Sequence, residues 1–297
     1  MTVKRVYWLA ILAMLLLHSH TDAQILYGIS NGFGTAANNQ IYQIDASSGT
    51  ISNAFQVTVP GQTVLRSMAL AAQPGTGTLF AVVQFQGQNA DNRNLITIDP
   101  NTGVGTNIGN LGRAFASLSF RSDGNLWGVT GDGSTQDPES LFIINTATAG
   151  ITFQFALGNG ADGETIAFHP NGLLYHSSGN GAALFESVDV DTQNVIPIGS
   201  ASGEMFAMGY HPDLNQLLGS DINNNFFSID IATGNRTSIG TINAPSDNRG
   251  LAFVASAVPE PTTMVLAGFA GVTGVAFGWK RRKRSTKAKL AKQTSSK

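Results

Sequence analysis

The middle of the chain is built on one unit that returns at intervals of about 41 to 49 residues. Its first half is an apolar strand with small residues, a polar turn and a second apolar strand. This half recurs as MALAAQPGTGTLFAVV (68–83), ASLSFRSDGNLWGVT (116–130), TIAFHPNGLLYHSS (165–178) and AMGYHPDLNQLLGS (207–220). The second half, after a loop of variable length, is a strand ending in Ile-Asp, a Thr-Gly turn and a last strand. Its copies are IYQIDASSGTIS (41–52), NLITIDPNTGVGTNIG (94–109) and FFSIDIATGNRTSIG (226–240), with degenerate ones at 141–153 and 184–199. Four short strands per unit at this interval is the pattern of propeller blades. Apolar–polar alternation and Gly, Asn and Asp punctuation agree with it. No segment of the middle region carries a helical period.

Both ends of this region are incomplete units. Arg249–Ser256 supplies a first strand with nothing behind it, and Ile25–Ser30 opens a unit that lacks one. Joined, they complete a fifth blade, so the fold class expected is all-β: a five-bladed β-propeller closed by pairing of its N- and C-terminal strands, which leaves fewer open sheet edges. The first strands align on Ala72, Phe120, Phe168, Tyr210 and Phe253. Three residues earlier stand Ala69, Ser117, Thr165, Ala207 and Gly250, and one residue earlier Ala71, Ser119, Ala167, Gly209 and Ala252. All ten are small, whereas Leu70, Leu118, Ile166, Met208 and Leu251 between them are large. Strands crowded round a propeller axis require that, and no ligand is needed to account for it.

Charge is distributed unevenly. Gln24–Ala257 holds six arginines, no lysine and seventeen Asp and Glu, a formal net charge of −11, whereas nine basic residues follow Trp279. An acidic domain repels phosphate backbones, so nucleic acid is not an expected partner. There is no cysteine, which excludes disulfide staples, thiolate metal sites and a thiol nucleophile. About 230 residues suffice for one domain with its own core.

Several motifs invite functional readings. Gly158–Gly163 fits G-x-G-x-x-G, but it leads into the strand ETIAF, whereas a dinucleotide site needs a helix there. His169 and His211 precede prolines at equivalent places in the repeat. These two would lie in different blades as parts of repeated turns, and with His176 they fall short of the converging set that zinc requires. Asp45, Asp99 and Asp230 open the turns DASSG, DPNTG and DIATG, where an Asp accepts backbone N–H bonds and the Gly supplies positive φ. The loop from Gly131 to Asp137 offers Asp132 and Asp137 as weak calcium ligands, without the spacing of an EF-hand. Calcium is thus the one cofactor considered, and a plain insertion accounts for the loop better. Residues just before each first strand, Arg66, Arg113, Glu164, Glu204 and Arg249, are expected to ring one mouth of the central channel. Mixed charge there suits a polar ligand such as a sugar. Glu164 and Glu204 are also a conceivable acid/base pair for a glycosidic bond, although ion pairing across the entrance explains them more simply.

The ends set the destination. Lys4 and Arg5, an apolar run from Val6 to Leu17 and Thr21-Asp22-Ala23 have the three-part build of a secretory signal over residues 1–23. At the other end, Thr263–Trp279 is 17 apolar or small residues, just long enough to span a bilayer. Lys280-Arg281-Arg282-Lys283-Arg284 follows, keeping that end and the basic tail at 285–297 cytoplasmic and Gln24–Ala257 outside. Val258-Pro259-Glu260-Pro261, the short glycine-rich span and the arginine-rich cluster, together 258–284, resemble the PEP-CTERM sorting signal of bacterial envelope proteins. The resemblance implies recognition of Pro259-Glu260-Pro261 by an exosortase-type enzyme, cleavage near that motif and transfer to the cell surface, in bacteria that typically make exopolysaccharide. The repeats resemble bacterial surface propellers of the YVTN and NHL type, a likeness of fold alone.

The function expected is a non-catalytic binding or structural module of the envelope or exopolysaccharide matrix, with polysaccharide or surface proteins as partners. An extracellular glycan-active hydrolase or lyase working at the channel mouth is the alternative.

Overall fold

The computed structural model describes residues 24–131, 134–158, 165–178, 184–200 and 203–255. The leader at 1–23, the sorting segment at 258–284 with its span at 263–279, the tail at 285–297, Asp132 and Glu164 lie outside the described residues.

Five four-stranded antiparallel sheets make up this region, a five-bladed all-β propeller. Blade 1 contains β1 (Gln24–Ser30), β2 (Gln40–Ile44) and β3 (Ile51–Gln56). Blade 2 runs through β4 (Val64–Ala72), β5 (Leu79–Phe85), β6 (Arg93–Ile98) and β7 (Gly105–Asn110). Blade 3 follows with β8 (Phe115–Phe120), β9 (Leu126–Thr130), β10 (Ser140–Ile144) and β11 (Ile151–Ala156). Blade 4 is β12 (Thr165–Phe168), β13 (Leu174–Ser177), β14 (Leu184–Asp189) and β15 (Asn194–Ser200). Blade 5 is β16 (Met205–His211), β17 (Gln216–Asp221), β18 (Asn225–Ile229) and β19 (Arg236–Thr241). The first, innermost strand of blade 1 comes from the other end of the domain: it is β20 (Asn248–Ala255), paired antiparallel to β1 with Leu26 opposite Phe253 and Gly28 opposite Leu251. One short 3-10 turn, Ala36–Asn38, interrupts the strands.

The first strands lie side by side in the order β4, β8, β12, β16, β20 and back to β4. The small residues face this crowding. A Cβ at Gly250 would stand 2.5 Å from the Leu70 amide nitrogen, and one at Gly209 would stand 3.1 Å from the Leu251 carbonyl oxygen. Where serine fills the same columns it also bonds. Ser117 Oγ accepts the Ile166 N–H (3.2 Å) and Ser119 Oγ the Phe168 N–H (2.9 Å), satisfying donors that an innermost strand otherwise leaves unpaired.

Hydrophobic burial is divided among the blade interfaces. Strand alternation sends successive residues to opposite faces, so Leu79, Ala81 and Val83 join Tyr27, Ile29 and Ile41 of blade 1. Their neighbours Phe80 and Val82 join Phe115, Leu118 and Phe142 of blade 3. The same logic fills the interfaces of blades 3 and 4, 4 and 5, and 5 and 1. Each sheet is therefore buried on both faces, and the aromatics meet edge to face, as Phe80–Phe120 and Trp127–Phe168 do.

The Asp-led turns between third and fourth strands are hairpin devices. Asp45 Oδ1 accepts the Ser47 N–H (2.8 Å), Asp99 Oδ1 that of Asn101 (2.9 Å) and Asp230 Oδ1 that of Ala232 (2.8 Å). Gly103 closes its turn at φ +73, with the Gln56 carbonyl oxygen 2.2 Å from any added Cβ. Blade 3 carries the same turn on Asn145, whose Oδ1 accepts the Ala147 N–H at 2.9 Å. The Ser47 hydroxyl and N–H hold the Asp45 carboxyl below its ordinary pKa, and the Asn101 N–H and Thr102 hydroxyl do the same for Asp99.

Two expectations follow. Gly250→Ala destabilises the domain by about 1–3 kcal/mol through overpacking, whereas Gly150→Ala, meeting only the Thr148 hydroxyl at 3.3 Å, changes urea unfolding by less than about 0.5 kcal/mol. Equal losses would remove axial crowding as the reason for the small columns. A carboxyl whose folded pKa is depressed stabilises the fold above the unfolded value, near ~3.9 for Asp, and ceases to as pH falls through the folded value. The Asp45→Asn, Asp99→Asn double variant, copying Asn145, is expected to lose less stability than the parent between neutral pH and about pH 3. Coincident pH–stability curves would show that these turns carry no acid sensitivity.

Candidate functional site

Buried polar side chains gather at the end of the propeller where first strands begin and second strands finish. Ser30, Thr130, Thr165, Ser177, Ser220 and Asn248 are all fully buried there. Asn248 links two blades: Tyr42 of its own blade donates to Asn248 Oδ1 (2.8 Å), and Asn248 Nδ2 donates to Ser220 Oγ of blade 5 (2.9 Å). Burial, then Asp247, pushes the Tyr42 hydroxyl well above its ordinary pKa, so it remains a donor.

Four of the five residues read from the sequence as a mouth ring are described, and they do not behave alike. Arg113 is bound to Asp137 at 3.0 Å within blade 3. Arg249 pairs with Asp247 at 3.3 Å and lies 3.3 Å from the centre of the Phe206 ring. Arg66, at the start of β4, makes no ion pair among the described residues, and its buried Nε has no hydrogen-bond partner there. Glu204, half-buried before β16, is engaged by a neighbour. Glu164 lies outside the described residues, so the suggested Glu164–Glu204 pairing has no described geometry.

What the sequence reading missed is Phe33. It is 52 % exposed, with φ +44, and lies between two of the predicted arginines: the guanidinium carbons of Arg249 and Arg66 are 5.6 and 6.0 Å from its ring centre. The loop presenting it is constructed. Buried Asn39 accepts the Gly32 N–H on Oδ1 (2.9 Å) and donates to the Val64 and Leu65 carbonyls. Asn31 Oδ1 accepts the Phe33 N–H (3.0 Å). Gly32 is obligatory, because a Cβ would meet the Thr35 carbonyl oxygen at 2.3 Å. The signal in the sequence was an aromatic between two glycines in a blade connection, Gly32-Phe33-Gly34.

A second site was hidden in the repeat itself. In four blades the middle of the second strand is small and faces a large third-strand residue: Gly28 opposite Tyr42, Ala81 opposite Ile96, Gly128 opposite Phe142, Gly219 opposite Phe227. Blade 4 places His176 opposite Glu186 in that register. Both are completely buried, His176 Nδ1 and Glu186 Oε1 are 2.9 Å apart, and the ring's Nε2 has no partner among the described residues. This is a hydrogen-bonded His–Glu pair on the face that also carries the apolar interface of Trp127, Val129, Ile166, Leu174 and Val188.

The remaining candidates resolve into packing. His169 stands edge-on to Tyr210 (4.9 Å between ring centres) and His211 lies against Phe253 (4.4 Å), each on the aligned aromatic of the following blade. Arg121, at the same place in blade 3, reaches Asp191 of blade 4. These positions are latches between blades at the end opposite the mouth. Burial depresses the His211 pKa, against the pull of Asp213. In the acidic loop, Asp137 is held by Arg113, while Ser134 and Thr135 donate to Asp91 of blade 2. No cluster of three metal-ligating side chains exists among the described residues. A cleft of about 440 Å³ opens at the latch end beside His169, Gln216 and Asp230, without a converging set of charged groups.

Residues 257–283 match the PEP-CTERM protein-sorting motif. Such a motif implies a protein that is exported, held in the membrane and then sorted to the surface, with processing by an exosortase-type enzyme. No curated protein matches the chain. Among solved structures, a chain from a nidogen/laminin complex is similar at 12 % identity and TM-score 0.50, over 79 % of this chain and 99 % of that one. TolB from Acinetobacter baumannii is similar at 15 % identity and TM-score 0.47, over 77 % of this chain and 55 % of its own. A protein of unknown function from Bacteroides caccae is similar at 13 % and 0.43, over 72 % of each. At these identities the likeness is one of fold.

The His176–Glu186 pair can be tested against the repeat. Removing one partner, as in Glu186→Ala, is expected to cost about 3–5 kcal/mol. The double substitution His176→Gly, Glu186→Phe, copying Gly128 and Phe142, is expected to unfold in urea within about 1 kcal/mol of the parent, since apolar replacement of a buried pair is often neutral. A double variant as unstable as the single one would mean that blade 4 requires the pair for its fold.

Proposed function

We propose that the chain is an exported, surface-displayed propeller that acts as a non-catalytic binding module of the envelope or exopolysaccharide matrix through its channel mouth. In this reading residues 1–23 are removed on export and 263–279 anchor the chain transiently. Cleavage falls near Pro259-Glu260-Pro261, and the pairing of β20 with β1 closes the ring. The observation that carries it is Phe33: an aromatic side chain held half exposed, in a strained backbone conformation, between Arg66 and Arg249. A left-handed non-glycine residue costs about 1–2 kcal/mol, and strain of this kind persists where the surroundings impose it, often at binding sites. Aromatic faces and guanidinium groups are also the side chains that concentrate binding energy at recognition surfaces.

The test is titration of the purified full-length chain with neutral and acidic polysaccharides, with calcium and with a chelator, while reducing ends are assayed. Saturable binding without sugar release is expected. Release of sugar abolished by Glu164→Gln or Glu204→Gln would replace this reading by a glycan-active enzyme. Absence of binding to every polysaccharide would remove it.

A further inference from the structure

We infer that the mouth selects acidic polysaccharide, with Arg66 receiving a uronate-type carboxylate and Phe33 carrying the sugar ring; this rests on the binding-module reading above. The argument begins with the arginines. Gln24–Ala257 has six of them against seventeen carboxylates, and five are engaged. Arg113, Arg121 and Arg249 hold Asp137, Asp191 and Asp247. Arg93 donates to the Phe115 carbonyl (2.5 Å) and Arg236 to that of Gly203 (2.8 Å). Arg66 is the exception. In a domain where carboxylates are nearly three times as numerous as arginines, this guanidinium has no acidic partner among the described residues. Its buried Nε lacks an acceptor there, as do those of Arg93, Arg236 and Arg249, so the missing carboxylate is what distinguishes it.

Geometry narrows the acceptor. Arg249, 5.6 Å from the Phe33 ring centre, is already neutralised by Asp247 and stacked on Phe206. Arg66 is therefore a local cation unpaired by any described carboxylate, beside a half-exposed aromatic ring, in a domain whose net charge of −11 opposes polyanions everywhere else. A neutral sugar would use the ring and leave Arg66 unanswered. A free carboxylate would pair with Arg66 and leave Phe33 bare. A hexuronate residue brings both parts on one rigid ring, a carboxylate that can take a two-pronged guanidinium bond and a C–H face that can lie on an aromatic. Gly34 donates its N–H to the Leu65 carbonyl (3.3 Å), the residue before Arg66, so the two halves of the site are tied to one another before a ligand arrives.

The experiment titrates the folded full-length chain with polygalacturonate, its fully methyl-esterified form, dextran and poly-glutamate, at about 0.05 M and about 0.5 M NaCl, where screening differs several-fold. Polygalacturonate is expected to bind best and to weaken at high salt. Arg66→Gln is expected to lower that affinity by about ten-fold or more, corresponding to 1.4 kcal/mol or more, and to leave weak ester binding unchanged. Phe33→Gly is expected to raise the melting temperature by relieving the left-handed backbone, yet to weaken polygalacturonate by about five-fold or more. Because this variant gains stability, its loss of affinity cannot come from misfolding. Equal binding of polygalacturonate, ester and dextran, untouched by Arg66→Gln, would overturn the inference while leaving a glycan-binding mouth. Poly-glutamate binding as tightly as polygalacturonate would also overturn it, in favour of an acidic protein partner. Failure of all polysaccharides would overturn both this inference and the reading beneath it.

Discussion

Five first strands must share one axis, and the rest of the molecule is arranged around that crowding. Because the backbones approach within van der Waals distance of an added Cβ at Gly209 and Gly250, the strands can present only Gly, Ala, Ser or Thr to one side. The apolar mass therefore moves to the opposite side and outward into the blade interfaces. There Leu70, Leu118, Ile166, Met208 and Leu251 are almost entirely buried. Inner strands also lack a hydrogen-bonding neighbour on one edge, and Ser117 and Ser119 supply acceptors for Ile166 and Phe168. The small columns thus solve a steric problem and part of a polar one.

The two ends of the propeller have different tasks. At the latch end the chain makes reproducible bonds: Asp- or Asn-led turns, and His169, His211 and Arg121 each reaching the next blade. Copying the same contact from unit to unit makes that end legible as a repeat and poor in individuality. At the mouth the loops differ in length and composition, and polar groups are buried in pairs peculiar to each interface. Tyr42–Asn248–Ser220 joins blades 5 and 1, while Asn39 ties the Phe33 loop to β4. Variation confined to one end of a rigid scaffold is where binding surfaces are commonly placed.

This division explains what could be read in advance. The blade number and the small columns were legible, because burial on both faces forces one amino-acid grammar on every unit. The Asp turns were legible for the same reason. The partners of the residues expected at the mouth were not legible. Arg113 turns to Asp137 in its own blade, a contact set by an irregular loop that no repeat constrains. Phe33 escaped notice because what marks it is a positive φ and two neighbours distant in sequence, Arg66 of blade 2 and Arg249 on the strand that completes its own blade. The His176–Glu186 pair was visible as a departure, a histidine in a column of glycine and alanine, once strand register showed which residue faced it.

The absence of lysine from Gln24–Ala257 now has a physical reading. Arginine offers a flat, weakly hydrated cation that stacks on rings and donates in several directions at once, whereas an ammonium is a compact charge that holds its water. The arginines of the domain use those properties. Arg236 lies over Phe227 and donates to Gly203, Arg249 lies over Phe206, and Arg93 crosses from blade 2 to the Phe115 carbonyl of blade 3. Burial lowers the pKa of Arg236, against Asp221, without removing its charge near neutral pH. In a domain this acidic, positive charge that served solubility could sit anywhere. Instead it is spent at blade junctions and at the mouth, in places where a guanidinium fits and an ammonium would not. Arg66 belongs to the same pattern with one difference: the aromatic is in place and the acceptor is not.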